Sequence, residues 1–307
     1  MQRYLIFLLL FTLFTSNTIS QQTDLPTCPA GAYETGVFTQ VIISNNIQRE
    51  ALVYVPQTYD PTEPTTLVIT FHGFGSNPQD MMEITGWNTL ADTYGFIVAY
   101  PRGLGRPSRW NSGDFPLVRG NSIDDVQFTR DIIHTLSQVY CIDAVFPNGY
   151  SNGGGMSNRL ACELSDQISA FGSVAGAYNT PPQGCNPEKP VRVIAFHGTD
   201  DAVVNFNGDE WLHLPPILTW VATWAERNGC DPQPEIRAIS GEVVQTRYLN
   251  CEADVVFYEV TGGGHTWPGG EVVGFGGSLI GHMTQDINAS QLMWEFFNSD
   301  STENHTP

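Results

Sequence analysis

Gly149-Tyr150-Ser151-Asn152-Gly153 sets a serine between two glycines, after an apolar run and before a helical segment. The spacing G-x-S-x-G suits a nucleophile that must stand clear of a sheet on a sharp strand-to-helix turn. Glycine at both flanks removes Cβ atoms that such a turn would crowd. A helix starting beside the serine aims its first amides at developing negative charge. A five-residue pattern recurs by chance, so it needs partners, and two other strand ends supply them. His197-Gly198-Thr199-Asp200-Asp201 follows the run Val191–Phe196, and Gly262-Gly263-Gly264-His265-Thr266-Trp267-Pro268 follows Val255–Val260. The chemistry is nucleophilic: His265 takes the Ser151 proton, and Asp201 fixes the imidazole tautomer and stabilises its cation. Asp200 is the rival carboxylate, but neighbours at a strand end point in different directions. His265 must be uncharged to act as base, so the rate should fall on acidification through the histidine range, about pH 6–7.

His72-Gly73-Phe74-Gly75 follows another apolar run, Thr66–Phe71. A loop in that place can give one amide to an oxyanion, so the backbone amides of Phe74 and Asn152 are the expected donors. One such donor is typically worth about 10²–10³ in rate. Tyr150 and Trp267 flank two of the three reactive residues, and Trp110 lies in a long Gly/Pro-rich loop, 103–121. These three are expected to face substrate. His197 reads as a structural hydrogen-bonder behind the acid loop, and Trp220 and Trp224, four apart on a helix, as core. The cysteine spacing fits no zinc template, so no metal and no cofactor are expected.

These groups must be held by strands that end near one another. Val37–Ile43, Ala51–Val55, Thr66–Phe71, Phe96–Tyr100, Ala144–Phe146, Val191–Phe196 and Val255–Val260 read as short strands. Asp124–Tyr140, Asn152–Leu164, Pro216–Arg227 and Ser290–Phe297 read as helices. Short apolar strands alternating with helices predict an α/β fold, a mostly parallel central sheet covered on both faces. Active sites of such sheets lie outside the carboxyl ends of the strands. Pro147 is awkward there, because it cannot donate to a ladder. Either the strand stops at Phe146 or that position needs no donor.

Arg3, the apolar run Tyr4–Phe14 and small residues at Thr18 and Ser20 predict a secretory signal peptide over residues 1–20. Residues 21–299 read as one catalytic domain and 300–307 as a polar tail. The protein is therefore expected outside the cell, where the even set Cys28, Cys141, Cys162, Cys185, Cys230 and Cys251 would form disulfides. The sequence leaves their pairing open. Asn288 and Asn304 begin glycosylation sequons. A formal charge of −19 argues against nucleic acid and anionic membranes as partners.

Taken together, GYSNGG around Ser151, HGTDD-x-VV-x-FNG from His197 and GGGHTWPGG from Gly262 resemble the polyhydroxybutyrate depolymerase-like esterases. Secreted feruloyl and acetylxylan esterases are their relatives. HGFGSN from His72, YPRG from Tyr100, Trp110-Asn111 and Ile123-Asp124-Asp125-Val126 fall in register too. The order Ser, Asp, His is that of α/β-hydrolases. The resemblance implies that fold, an acyl-enzyme, Asp201 as the acid, and the pairs Cys230–Cys251, Cys162–Cys185 and Cys28–Cys141. It implies an ester partner: a polyester oligomer first, with feruloylated or acetylated polysaccharide as the alternative. The chain departs from the family pattern at Asp114-Phe115, where cysteines are common, and at Pro147. A catalytically silent binding protein is the reading from another class, and loss of a triad residue would favour it. None is lost.

Overall fold

The computed structural model describes residues 28–116, 123–271 and 280–299. The expected leader, the polar tail and Asn304 lie outside the described residues.

Alternating runs with a period of two build most of the sheet. In β3 (Thr65–Phe71), Leu67, Ile69 and Phe71 enter the core on one face, and Val68 enters the core on the other. Such two-sided burial is what a central parallel strand requires. β1 (Gly36–Ser44) and β2 (Ile47–Val55) form a hairpin through Asn45-Asn46, both with positive φ. That conformation suits the right-handed twist of a two-residue hairpin turn.

The remaining strands are β4 (Ile97–Pro101), β5 (Ile142–Tyr150), β6 (Ala170–Val174), β7 (Arg192–Gly198), β8 (Glu235–Ala238), β9 (Val243–Arg247) and β10 (Val255–Val260). They complete a ten-stranded sheet in the order β1-β2-β4-β3-β5-β6-β7-β10-β9-β8. The middle, from β4 to β10, is parallel, and antiparallel strands close both edges. From β3 the chain steps outward to β4, then returns to β5 on the other side of β3. The crevice between β3 and β5 is thus the point where strand order reverses, the usual place for a ligand in an open α/β sheet.

Among the described residues, six helices cover the faces: α1 (Pro78–Thr85), α2 (Trp87–Tyr94), α3 (Asp125–Ser137), α4 (Asn152–Glu163), α5 (Ile217–Arg227) and α6 (Ala289–Asn298). Trp220 and Trp224 are core, and both indole N–H groups donate to Asn158 Oδ1 at 3.0 Å. β5 runs straight through Pro147. β6 pairs with it only from Asn148 onward, so the proline withholds no donor from that neighbour.

Buried charge fixes one corner. Arg49 on β2 and Asp125 at the start of α3 pair at 2.8 Å, both nearly inaccessible, with the guanidinium lying over Phe128. Disulfides join Cys28 to Cys141, Cys162 to Cys185 and Cys230 to Cys251. The second ties the end of α4 to a loop 23 residues away. Replacing Cys162 and Cys185 together with alanine is expected to cost about 3 kcal/mol of stability. A lower unfolding free energy, read from the denaturant midpoint together with the slope, is the result that checks it.

Candidate active site

Ser151 follows β5 directly and caps α4, with φ 56° and ψ −119°. A positive φ at a non-glycine residue stores strain of order 1–3 kcal/mol and persists only when its surroundings dictate it. Here they do. The Ser151 amide donates to Val174 O at 2.9 Å, and its carbonyl accepts from Ala177 at 3.0 Å and Gly155 at 3.1 Å. α4 also presses onto the sheet. A Cβ at Gly153 would lie 2.1 Å from Phe71 O, and one at Gly149 would lie 2.4 Å from the Gly153 carbonyl. Any larger residue at either place would push α4 off β3 and β5.

Asp201 lies in the loop after β7, buried, and its carboxylate accepts three hydrogen bonds and lies beside a second histidine. Oδ1 takes the amides of Val203 and Val204, each at 2.8 Å. Oδ2 takes His265 Nδ1 at 2.7 Å and faces His197 Nε2 at 3.3 Å. Burial alone would raise this carboxyl's pKa, but the two histidines outweigh it and hold the group well below the usual carboxylate range. The neighbouring Asp200 points to solvent instead, with Thr199 as its side-chain partner. His197 Nε2 also meets Val204 O at 2.8 Å, so His197 braces the acid loop from behind.

His265 comes from the loop after β10. Its Nδ1 faces an acceptor-only carboxylate, so the proton sits there and Nε2 keeps its lone pair. Tyr150, next to the serine, places this ring. The Tyr150 hydroxyl donates to His265 O at 2.5 Å, and the two rings lie 4.9 Å apart. Burial pushes the Tyr150 phenol well above its ordinary range, so it stays a donor. The fold thus joins Asp201 to His265 from the loops after β7 and β10 and sets Tyr150, the neighbour of Ser151 at the end of β5, against His265.

The loop expected to carry one oxyanion donor lies against the serine turn. A Cβ at Gly73 would touch Ser151 Cβ at 3.4 Å, so the loop after β3 rests on the serine turn. Neither the Phe74 amide nor the Asn152 amide has a protein acceptor among the described residues. His72 orients the first of them. His72 Nε2 accepts from Gly103 N at 3.0 Å, so its proton is on Nδ1, which donates to Gly73 O at 2.7 Å. That carbonyl shares a planar trans peptide with the Phe74 N–H, so pinning one sends the other in the opposite direction. This role of His72 is not legible in the sequence pattern alone. The signal was the His-Gly pair closing a buried strand.

Trp110 was expected to face substrate and does not. It is 2% exposed, its indole N–H donates to His72 O at 2.8 Å, and its ring meets Phe71 edge-on. Its loop is drawn inward from two sides. Asn152 Oδ1 accepts the Trp110 amide at 2.8 Å, and Asp125 Oδ2 accepts the Asn111 amide at 2.7 Å. Trp267 is also 2% exposed, with its N–H on Ser290 Oγ at 3.1 Å. One edge of it nevertheless lines a cavity of about 370 Å³ with Phe74, Tyr150, Thr266, Ile280 and Met283. This cavity adjoins the serine turn, and its mainly apolar walls also carry Ser76, Asp80 and Glu271.

No family model matches the chain. Curated relatives do. Feruloyl esterase D of Neurospora crassa is 30% identical over 238 residues, covering 72% of this chain and 75% of that protein. Feruloyl esterase B of Piromyces equi is 29% identical over 235 residues, 71% of this chain. The match spans only 42% of that longer protein. Among solved structures, an acetyl xylan esterase from Aspergillus awamori superposes with a TM-score of 0.59 over 75% of this chain and 94% of that one. At 19% identity this likeness concerns the fold. Fold, site and relatives define a class, the serine carboxylic-ester hydrolases built on the α/β-hydrolase sheet. Within it, the chain belongs to the feruloyl esterase family.

Burial lowers the His72 imidazole from 6.5 to about 4. The folded state therefore resists a proton that the unfolded chain accepts. Stability is complete above about pH 6.5 and declines as the pH falls toward 4, by up to roughly 3 kcal/mol. His72→Gln should be less stable at neutral pH yet lose less on acidification. Urea midpoints of both proteins between about pH 7 and pH 5 check this.

Proposed function

We propose that this protein is a secreted esterase that cleaves feruloyl or acetyl esters on plant cell-wall polysaccharide through an acyl-enzyme on Ser151. One observation carries the reading: His265 is bonded to buried Asp201 and packed against Tyr150, whose neighbour Ser151 is held in a strained turn. In the first step, the Ser151 Oγ–H bond breaks as Oγ bonds the ester carbonyl carbon. The proton goes to His265 Nε2, and the carbonyl electron pair moves onto oxygen. The amides of Phe74 and Asn152 receive that oxyanion, aided by the N-terminal end of α4. His265 then returns the proton to the leaving alcohol. Water repeats the sequence to free the acid. Asp201 stays ionised throughout and stabilises the imidazolium.

The cavity beside Phe74, Tyr150 and Trp267 has room for an aryl or short acyl group against its aromatic side. The names of the relatives turn the choice from polyester toward feruloyl and acetyl esters. Secretion is supported by the leader-like first 20 residues and by the disulfides. Among the described residues, no helix is long and apolar enough to cross a membrane. Asn288 is exposed at the N-cap of α6, where its amide donates to Gly269 O and an N-glycan could be carried.

Wild type should hydrolyse p-nitrophenyl butyrate, and Ser151→Ala should lose on the order of 10⁴-fold or more in kcat. Methyl ferulate and acetylated xylan should be cleaved far better than hydroxybutyrate oligomers. Equal activity of wild type and variant would defeat the mechanism. A preference for the oligomers would defeat the substrate assignment.

A further inference from the structure

Trp211 is out of keeping with the other tryptophans. It is 66% exposed, whereas Trp87, Trp110, Trp220, Trp224 and Trp267 are each at most 7% exposed. Exposure of one apolar residue is ordinary, but the loop holding this one is tightly built. Asp209 and Leu214 exchange backbone hydrogen bonds at 2.9 and 2.8 Å, and Asp209 Oδ1 caps the turn through Leu212 N at 2.9 Å. A Cβ at Gly208 would lie 2.7 Å from Pro216 N, and His213 takes a φ of 56°. The turn is closed on all sides, and Trp211 stands at its tip.

The same loop is anchored to the active site. Leu214, Val204 and Ala177 form a small apolar cluster, with Leu212 packed against it. Ala177 N donates to Ser151 O at 3.0 Å, and Val204 N donates to Asp201 Oδ1 at 2.8 Å. Leu212 O accepts from Asn179 Nδ2 at 2.8 Å. His213 Nδ1 meets Asp114 Oδ2 at 3.0 Å, and the adjacent Phe115 packs edge-on to the exposed Phe74. A rim thus runs from Phe74 over Phe115 and the Asp114–His213 pair to Trp211, on the face that carries Ser151.

We infer that Trp211 is a stacking platform for a sugar ring of the polysaccharide that bears the ester, which rests on the function proposed above. The flat C–H face of a sugar covers an indole, while its hydroxyls need polar partners around the ring. Glu210 and His213 are exposed beside Trp211 and supply acceptors and donors. An uncharged glycan also suits a chain of formal charge −19, which would repel an anionic polymer. A solid polyester would need a continuous apolar patch, and these polar neighbours interrupt one.

The test compares wild type, Trp211→Ala and Trp211→Phe on p-nitrophenyl acetate and on a feruloylated arabinoxylan oligosaccharide. Binding of the ester-free oligosaccharide is followed by titration calorimetry. Trp211→Ala should keep its rate on p-nitrophenyl acetate, raise KM on the oligosaccharide roughly tenfold and lose binding of the ester-free sugar. Trp211→Phe should recover part of both. An unchanged KM with unchanged sugar binding overturns the inference, as does a parallel loss on p-nitrophenyl acetate. So does tighter binding of hydroxybutyrate oligomers than of sugar. If wild type cleaves p-nitrophenyl acetate but not the feruloylated sugar, the substrate assignment fails instead, and calorimetry still decides whether Trp211 holds a sugar.

Discussion

The close approach of α4 to the ends of β3 and β5 is the constraint on which the site depends. The Phe71 carbonyl leaves no space for a side chain at 153, and the Gly153 carbonyl leaves none at 149. That contact lets the chain turn sharply at Ser151 and keeps the turn from relaxing. The strain is distributed over the backbone bonds to Val174, Ala177 and Gly155. The same contact sets the start of α4 beside the loop after β3, so the proposed nucleophile and oxyanion donors would all depend on one packing contact.

Electrostatics supplies the second half. Asp201 is buried, yet it stays ionised because three donors bond its two oxygens and His197 lies beside them. Two of those donors belong to its own loop, so the acid is oriented before His265 is considered. His265 is in turn fixed by Tyr150 from the opposite side. Each reactive group is held by neighbours that do not themselves react, which is the preorganisation that such catalysis requires.

The parts legible in the sequence were those with a local chemical reason. Gly149 and Gly153 announced the turn, and strand-end positions announced Asp201 and His265. The buried strands β3, β7 and β10 could be read from β-branched and apolar runs. What escaped was set by distant contacts. α1 and α2 are short helices of eight residues each, with weak periodicity, stabilised by burying Met81 and Trp87. β6, Ala-Phe-Gly-Ser-Val, has little strand propensity and is defined by its neighbours β5 and β7. β8 is an edge strand and β9 its inner neighbour, both short and of mixed composition. Trp110 was misjudged because its burial is caused by Asn152 and Asp125, far along the chain, and nothing local records that.

The account stands or falls on a covalent acyl group at Ser151. Rapid acid quench of wild type turning over methyl ferulate, followed by intact-mass and peptide analysis, measures it most directly. The account predicts one feruloyl group per chain, located on the peptide containing Ser151 and absent from Ser151→Ala. Turnover with an acyl group on another residue, or burst kinetics with Ser151 unmodified, would contradict it.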